Sequence, residues 1–196
     1  SLGLGKGIDA VESDLILSDV KVRGNGKGCR LMNSNTQVIR SEISHNLSSS
    51  GGAGLVVEGF GSTLLLNTLI ARTQGTVGGG ILLNGGLLTL RHTAVLGNLG
   101  TGEGGGIYVQ SHPVIEATLL LQNSIIAYTT QGSGLYVHDE LARVEALGTI
   151  VWDNAAGDFQ GVPIDFRQDL GNRAIDPGFV GVWPGGRMSL QDLYLK

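Results

Sequence analysis

Gly-Gly-Gly-Ile-Leu-Leu occupies residues 78–83, and Gly-Gly-Gly-Ile-Tyr-Val occupies residues 104–109. The last glycine of each run opens a pattern of glycine, apolar residue, any residue, apolar residue, which occurs five times in the chain. The five glycines stand at positions 28, 54, 80, 106 and 134, so their spacings are 26, 26, 26 and 28 residues. A spacing this regular indicates a repeat architecture.

A second marker follows the same period: a β-branched residue is followed three positions later by Asn or Thr. Its six copies are Val22/Asn25, Ile43/Asn46, Ile70/Thr73, Val95/Asn98, Ile126/Thr129 and Val151/Asn154. The period is too short for a four-stranded propeller blade, and the segments are too β-branched for a helical hairpin. We therefore predict an all-β coil of short parallel strands, with about six turns of roughly 26 residues each. Equivalent side chains would stack into ladders with a spacing of about 4.8 Å.

The bends of this coil have their own sequence pattern. We expect the glycine runs at the corners between strands, where a positive φ is cheap for glycine. The residue three positions before each β-branched marker is predicted to form a bend column, because Asn, Asp and Gly tolerate a left-handed conformation. The members of this column are Asp19, Arg40, Asn67, His92, Asn123 and Gly148.

Composition excludes several classes of protein. The chain has 196 residues, 33 of them glycine, and its net charge of -4 lacks the basic footprint of a nucleic-acid-binding protein. No stretch reaches the roughly 18 to 20 apolar residues of a membrane-spanning helix, so we expect no membrane insertion. The single cysteine, Cys29, cannot form an internal disulfide and is predicted to be a buried thiol. We expect one domain, with the coil in residues 1–161 and a C-terminal capping segment in residues 162–196.

The chain resembles the right-handed parallel β-helix repeat proteins, which share the pectate-lyase-like fold. The resemblance rests on the recurring Gly-Gly-Gly-Ile, on the apolar-x-x-Asn of the same repeat, and on the tail Asp176-Pro-Gly-Phe-Val, which looks like the closing segment of such proteins. These motifs are similar to those of bacterial polymorphic outer-membrane and other surface β-helix proteins. The resemblance implies the right-handed coil and a secreted or cell-surface location, while its motifs identify a fold better than an activity.

The strands that follow the five glycines have an outward face that holds the candidate ligand site. Tyr108 and Tyr136 belong to adjacent turns, so their rings should stack. Together with Gln110, His138 and Glu58, the stacked rings could hold a sugar. The alternative is an aromatic pair that only stabilises the sheet, by about 0.2 to 1 kcal/mol.

The same face does not predict catalysis. Glu58 and His138 share a column but lie three rungs apart, about 14 Å at the cross-strand spacing, and a hydrolase needs two closer carboxylates. Arg30, a conceivable lyase base, is expected to stand alone. We assign no catalytic residue, no metal ligand and no cofactor, and a structural calcium ion at the C-terminal cap is an open alternative. Surface ion pairs are predicted between Lys21 and Glu42 and between Asp19 and Arg40.

The strands that contain the β-branched markers predict an apolar outer wall. If the β-branched residues face the core, their neighbours face outward, and from the third turn onward these neighbours are apolar. The largest members of the wall are Leu69, Leu96, Ile125, Ile150 and Trp152. So much exposed apolar surface is unusual for a monomer, so we expect a cover from residues 162–196, from a second copy, or from another domain.

These observations favour a non-catalytic recognition or adhesion module, a segment of a larger exported bacterial protein. The partner would be a protein, or a second copy that meets the apolar wall, and a glycan is a further candidate. The alternative is a carbohydrate-active enzyme, a polysaccharide lyase or glycoside hydrolase, that works on the face around Tyr108, Tyr136 and His138.

Overall fold

The computed structural model describes residues 5–166 and 170–177, and every regular element among them is a β-strand. Each turn of the chain adds one strand to each of three parallel sheets. The first sheet contains, in spatial order, β1 (Lys6–Val11), β4 (Lys27–Met32), β7 (Leu55–Glu58), β11 (Ile81–Asn84), β15 (Ile107–Gln110), β18 (Leu135–Val137) and β21 (Phe159–Gly161). The predicted parallel coil of about six turns is confirmed.

The other two sheets have six strands each. The second sheet consists of β2 (Asp14–Ser18), β5 (Asn35–Ile39), β8 (Ser62–Leu66), β12 (Gly86–Arg91), β16 (Ala117–Gln122) and β19 (Arg143–Leu147). The third sheet consists of β3 (Lys21–Arg23), β6 (Glu42–Ser44), β9 (Leu69–Ala71), β13 (Ala94–Leu96), β17 (Ile125–Ala127) and β20 (Ile150–Trp152). Two short strands, β10 (Gln74–Gly75) and β14 (Leu99–Gly100), pair at a corner.

Glycine recurs before the first-sheet strands because neighbouring turns approach closely there. A Cβ atom at Gly80 would lie 2.5 Å from the carbonyl oxygen of Gly106, and one at Gly28 would lie 2.5 Å from that of Gly54. Neither glycine has a positive φ. The repeated glycine is therefore a requirement of packing between turns, whereas the expected positive φ occurs at other glycines of the runs, such as Gly78 and Gly104.

The predicted bend column is confirmed. Its six residues, from Asp19 to Gly148, all have φ values between 46° and 60°. A second column of the same conformation follows the third-sheet strands, and the sequence analysis did not predict it. Its members are Gly24, His45, Arg72, Gly97, Tyr128 and Asp153.

The Asn and Thr residues of the second marker form a polar ladder inside the coil. The Oδ1 atom of Asn98 accepts a hydrogen bond of 3.0 Å from the backbone N–H of Thr73, and its Nδ2 atom donates one of 3.1 Å to the carbonyl of Ile70. Asn154 makes the equivalent bonds two repeats later, to Thr129 and Ile126. These buried amides satisfy backbone groups that the bends leave unpaired.

The residues that follow β21 pack on the C-terminal end of the coil. Val162, Ile164 and Phe166 contact the core, and the rings of Phe159 and Phe166 are 4.8 Å apart. Residues 170–173 continue the third sheet, since Ile150 forms a parallel bridge with Arg173. The division at residue 161 and the capping role of residues 162–196 stay predictions, and much of that segment lies outside the described residues.

Candidate functional site

The two tyrosines of the first sheet stack as their register predicts. Tyr108 on β15 pairs with Tyr136 on β18, and the ring centroids are 5.2 Å apart with an interplanar angle of 2°. Successive turns place the two rings in the same orientation, so they lie face to face along the axis of the coil. The parallel register therefore fixes the geometry of the pair.

His138 joins this pair. Its Nδ1 atom lies 2.8 Å from the Oη atom of Tyr108, and its ring centroid is 5.7 Å from that of Tyr108 and 6.5 Å from that of Tyr136. Burial raises the pKa of Tyr108 to about 12, with smaller contributions from the charge of Glu103, from Tyr136 and from the charge of Asp139. At neutral pH the hydroxyl of Tyr108 is therefore protonated, and it forms a hydrogen bond with the imidazole of His138.

The stacked rings are not an open platform for a sugar. The register places Leu82 on one side of Tyr108 and Tyr136 on the other, and Tyr108 is only 5% exposed. The outward face therefore presents ring edges and hydroxyl groups instead of ring faces. Of the three rings, only Tyr136, which is half-buried, and His138, which is exposed, are accessible to a ligand.

Tyr136 is accessible, but a carboxylate lies beside it. Burial raises the pKa of Tyr136, and a hydrogen bond to the side chain of Glu103 raises it further. Asp139 is hydrogen-bonded on the other side, where its Oδ2 atom accepts a bond of 2.7 Å from the backbone N–H of Ser111. The aromatic cluster is thus bordered by two acidic side chains that the sequence analysis did not include.

The remaining candidate residues have other partners. Gln110 is half-buried and donates from Nε2 to the Oδ1 atom of Asn84 at 3.1 Å. Glu58 forms an ion pair of 2.8 Å with Nε of Arg30, which also lies 3.4 Å from Asp9. The expectation that Arg30 stands alone is wrong, because strands β1, β4 and β7 bring the three charges onto adjacent rungs.

Glu58 and His138 do not meet. Strands β11 and β15 lie between the strands that carry them, so the predicted separation by three rungs is confirmed. Glu58 therefore does not belong to the cluster formed by Tyr108, Tyr136 and His138.

The apolar wall of the third sheet is mostly buried within the single chain. Leu69 and Leu96 are fully buried and Ile125 is 8% exposed, which agrees with the expectation that this wall is covered. Ile150 and Trp152 are half-buried and pack against them together with Tyr128. A second copy cannot reach Leu69 or Leu96 unless the chain opens.

Part of the described C-terminal segment reaches this face. The hydroxyl of Tyr128 donates to Oδ1 of Asp176 at 3.1 Å, and Arg173 bridges to Ile150. These contacts agree with a cover from residues 162–196. The part of that cover in residues 178–196 lies outside the described residues.

Glu42 lies at the polar start of the same face and is 3% exposed. The predicted ion pair between Glu42 and Lys21 is wrong, because the main partner of Glu42 is Arg23. The guanidinium of Arg23 binds both carboxylate oxygens at 2.6 Å. Burial would raise the pKa of Glu42, but hydrogen bonds from Arg23 and Ser44 and the charges of Arg23 and Lys21 lower it overall. The predicted pair between Asp19 and Arg40 is confirmed at 2.6 Å.

Two surface grooves lie away from the tyrosines. One, of about 470 Å³, runs across the corners after the third sheet and has hydroxyl and ammonium groups in its walls, including Lys6, Lys27, Ser48 and Thr76. The other, of about 560 Å³, lies beside β19, the last strand of the second sheet among the described residues, and includes Glu145, Leu147 and Asp165. Within residues 5–166 and 170–177, no group of three His, Cys, Asp or Glu side chains could hold a metal ion.

Comparisons with known proteins identify the fold family. No curated protein and no solved structure matches the chain significantly. In the described part of the chain, no helix has the length and apolar character needed to cross a membrane. Residues 6–166, most of the chain, match the family described as the right handed beta helix region. The chain therefore belongs to the right-handed β-helix family.

Proposed function

We propose that this chain is a non-catalytic recognition module of an exported or cell-surface protein, and that it binds a neutral saccharide on the outer face of the first sheet. The site consists of Tyr136 and His138 on the turn of β18, together with the amides of Asn84 and Gln110 on the two preceding turns. The observation that carries the proposal is this continuous row of amide, phenol and imidazole groups beside an aromatic pair.

Electrostatics favours a neutral ligand over an acidic one. The only cation described on this face near the row, Arg30, is already paired with Glu58 and Asp9. At the other end of the row, Glu103 and Asp139 add negative potential around the tyrosines. A polyanion would be repelled there, whereas amide, phenol and imidazole groups match the hydroxyls of a neutral sugar.

The protonation state of Tyr108 supports a role without catalysis. With a pKa of about 12, its hydroxyl does not act as a base near neutral pH, and it is already hydrogen-bonded to His138. The resemblance to surface β-helix proteins supports the location at the cell surface.

A glycan array with neutral and acidic oligosaccharides tests this function. We expect binding to neutral structures, and at least about a tenfold loss of affinity in the double variant Tyr136→Ala with His138→Ala. Gln37→Ala, an exposed position on β5 in the second sheet, is the matched control and should bind like the wild type. Circular dichroism of all variants would verify that the coil is intact.

Three results would contradict the proposal. Binding that survives the double change would exclude the site, and an array without any bound neutral sugar would exclude the ligand class. Shortened oligosaccharides, or products with the ultraviolet absorbance of an unsaturated sugar, would show catalysis and favour the enzyme alternative.

A further inference from the structure

Three exposed apolar side chains lie along the corner between the first and second sheets, on the side of the coil. Counting turns from β1, Phe60 follows β7 on the third turn, Val114 follows β15 on the fifth turn, and Leu141 follows β18 on the sixth turn. Their exposed fractions are 64%, 76% and 57%. Because neighbouring turns are about 4.8 Å apart, the three side chains form a line about 14 Å long, which we call the apolar corner. Exposed apolar surface of this kind indicates a contact with another protein surface.

The fourth turn makes a depression in the apolar corner. It contributes Gly85 and Gly86, which have no side chains to fill the space between the third and fifth turns. A Cβ atom at Gly86 would lie 2.6 Å from the carbonyl oxygen of Gly59, so the close approach of the third turn requires glycine there. A Cβ atom at Gly85 would lie 3.1 Å from the side chain of Ile115, which therefore lines the floor of the depression. The apolar corner thus has a ridge at the fifth turn and a depression beside it.

Hydrogen bonds hold the two loops that form the upper part of the apolar corner. His112 and Ile115 exchange two backbone hydrogen bonds of 2.9 Å at the base of the fifth-turn loop. The carboxylate of Asp139 accepts a bond of 2.7 Å from the backbone N–H of Ser111 and one of 3.0 Å from that of Leu141, so it ties the fifth-turn and sixth-turn loops together. Because these loops are already ordered, association through them costs little conformational entropy.

We propose that a second copy of the chain docks on the apolar corner, with the two coils antiparallel about a twofold axis between the fourth and fifth turns. This axis places the third turn of each copy opposite the sixth turn of the other, so that Phe60 packs against Leu141. It also places Val114 of each copy in the depression formed by Gly85 and Gly86 of the other. Every apolar side chain of the corner then meets either a second apolar side chain or the depression. The surface is therefore complementary to itself, as a twofold dimer requires.

The charges of the corner favour the antiparallel orientation over a parallel one. The sixth-turn loop contains the half-buried Asp139 and the exposed Glu140, whereas residues 59–62 on the third turn, Gly-Phe-Gly-Ser, are uncharged. An antiparallel dimer places the acidic pair opposite the uncharged residues. A parallel dimer would set the two acidic pairs against each other and would place Val114 against Val114, with the depression left empty. This match of shape and charge is the reason to choose a second copy as the occupant of the apolar corner.

Light scattering coupled to size-exclusion chromatography tests the association. We expect a wild-type dimer whose fraction rises with concentration. Leu141→Asp and Val114→Asp should be folded monomers, because each variant would bury a carboxylate in the contact. Leu147→Asp is the matched control, since Leu147 is 50% exposed but ends β19 on the second sheet. The control should dimerise like the wild type.

Three results of this experiment would overturn the proposal. They are a wild type that stays monomeric at all concentrations, a dimer that persists in either variant of the apolar corner, and a control that dissociates as readily as those variants. Circular dichroism of each variant would verify that the coil is folded.

Cross-linking with bismaleimidoethane tests the orientation of the two copies. In the antiparallel dimer, position 60 of one copy lies opposite position 141 of the other, whereas equal positions are three turns apart, about 14 Å along the axis. We therefore expect a covalent dimer when Phe60→Cys and Leu141→Cys chains are mixed, and much less of it when either variant is treated alone. Cys29 is fully buried and should not react, so the wild type is the blank.

Two results of the cross-linking would contradict the arrangement. Covalent dimers of each variant alone, with no further product in the mixture, would show a parallel pair. A mixture without cross-links under conditions in which the wild type is dimeric would assign the dimer to another surface.

Discussion

The outer faces of the first and third sheets have similar backbones but are buried to different extents. On the first sheet, Leu82 and Tyr136 are half-buried and His138 is exposed, although Val56 and Tyr108 on the same face are buried. On the third sheet, the outward residues Leu69 and Leu96 are as completely buried as the core itself. Alternation along a strand thus defines which side chains leave the core, but it does not determine whether they meet water. That depends on what packs on the outside of the coil.

The largest expected effect comes from placing the same charge on the outer face of each of the two sheets. Leu69→Asp would bury an unpaired carboxylate on the third sheet, so we expect a loss of about 3 to 5 kcal/mol in the free energy of unfolding. Leu82→Asp puts the carboxylate on the half-buried face of the first sheet and should cost about 1 kcal/mol. Urea denaturation measures both values, and equal losses would contradict the different burial of the two faces.

The acid stability of the third sheet gives a second test. The folded-state pKa of Glu42 is lowered, so its ion pair with Arg23 contributes stability above the unfolded-state pKa, and this contribution is lost as the pH falls through the folded-state pKa. Glu42→Gln should therefore reduce the stability at pH 7 by about 1 to 2 kcal/mol and flatten its decrease below pH 5. Parallel pH profiles for wild type and variant, measured by thermal unfolding, would argue against this assignment.

The smallest expected effect belongs to the aromatic pair of the first sheet. Tyr108→Phe removes the hydrogen bond to His138 and keeps the ring stack, so we expect a loss of about 0.5 to 1.5 kcal/mol. Because the folded-state pKa of Tyr108 is raised to about 12, its contribution to stability is present below the usual tyrosine value and is lost as the pH rises toward 12. The alkaline decrease in stability should be shallower in the variant, and an unchanged alkaline profile would show that Tyr108 titrates normally.

Much of the coil could be predicted because its rules are local and repeated. The bend column and the inward β-branched residues follow from the backbone of a single turn, and the glycine spacing follows from a contact that recurs between every pair of neighbouring turns. Each repeat therefore carries the same sequence signal. The role of the internal ladder was missed, although Asn98 and Asn154 were recognised as markers. The repeated Asn marks a position in each turn. Its hydrogen bonds, however, are made to the backbone of the preceding turn, and the sequence of one turn does not show how the side chain reaches that backbone.

The site was harder to predict because it depends on side-chain reach between turns. Register alone made Lys21 the neighbour of Glu42, but the longer, forked side chain of Arg23 reaches both carboxylate oxygens. Stacking of Tyr108 on Tyr136 followed from register, whereas the approach of Glu103 and Asp139 did not, since both lie in corners outside the repeated strands. Burial of Leu69 depends on contacts from outside the repeat, so its apolar side chain indicated a cover but not which residues provide it.

The register of the first sheet has a mechanical consequence. Outward residues on consecutive rungs, from Asp9 to Gln160, are separated by 21, 26, 26, 26, 28 and 24 residues along the chain. Each turn is bonded mainly to its two neighbours, so a force applied at the ends should peel the coil one turn at a time. Releasing a turn of about 26 residues would lengthen the chain by roughly 90 Å at full extension. Under tension, this protein should therefore unfold in a series of small steps of nearly equal length, instead of in one cooperative event.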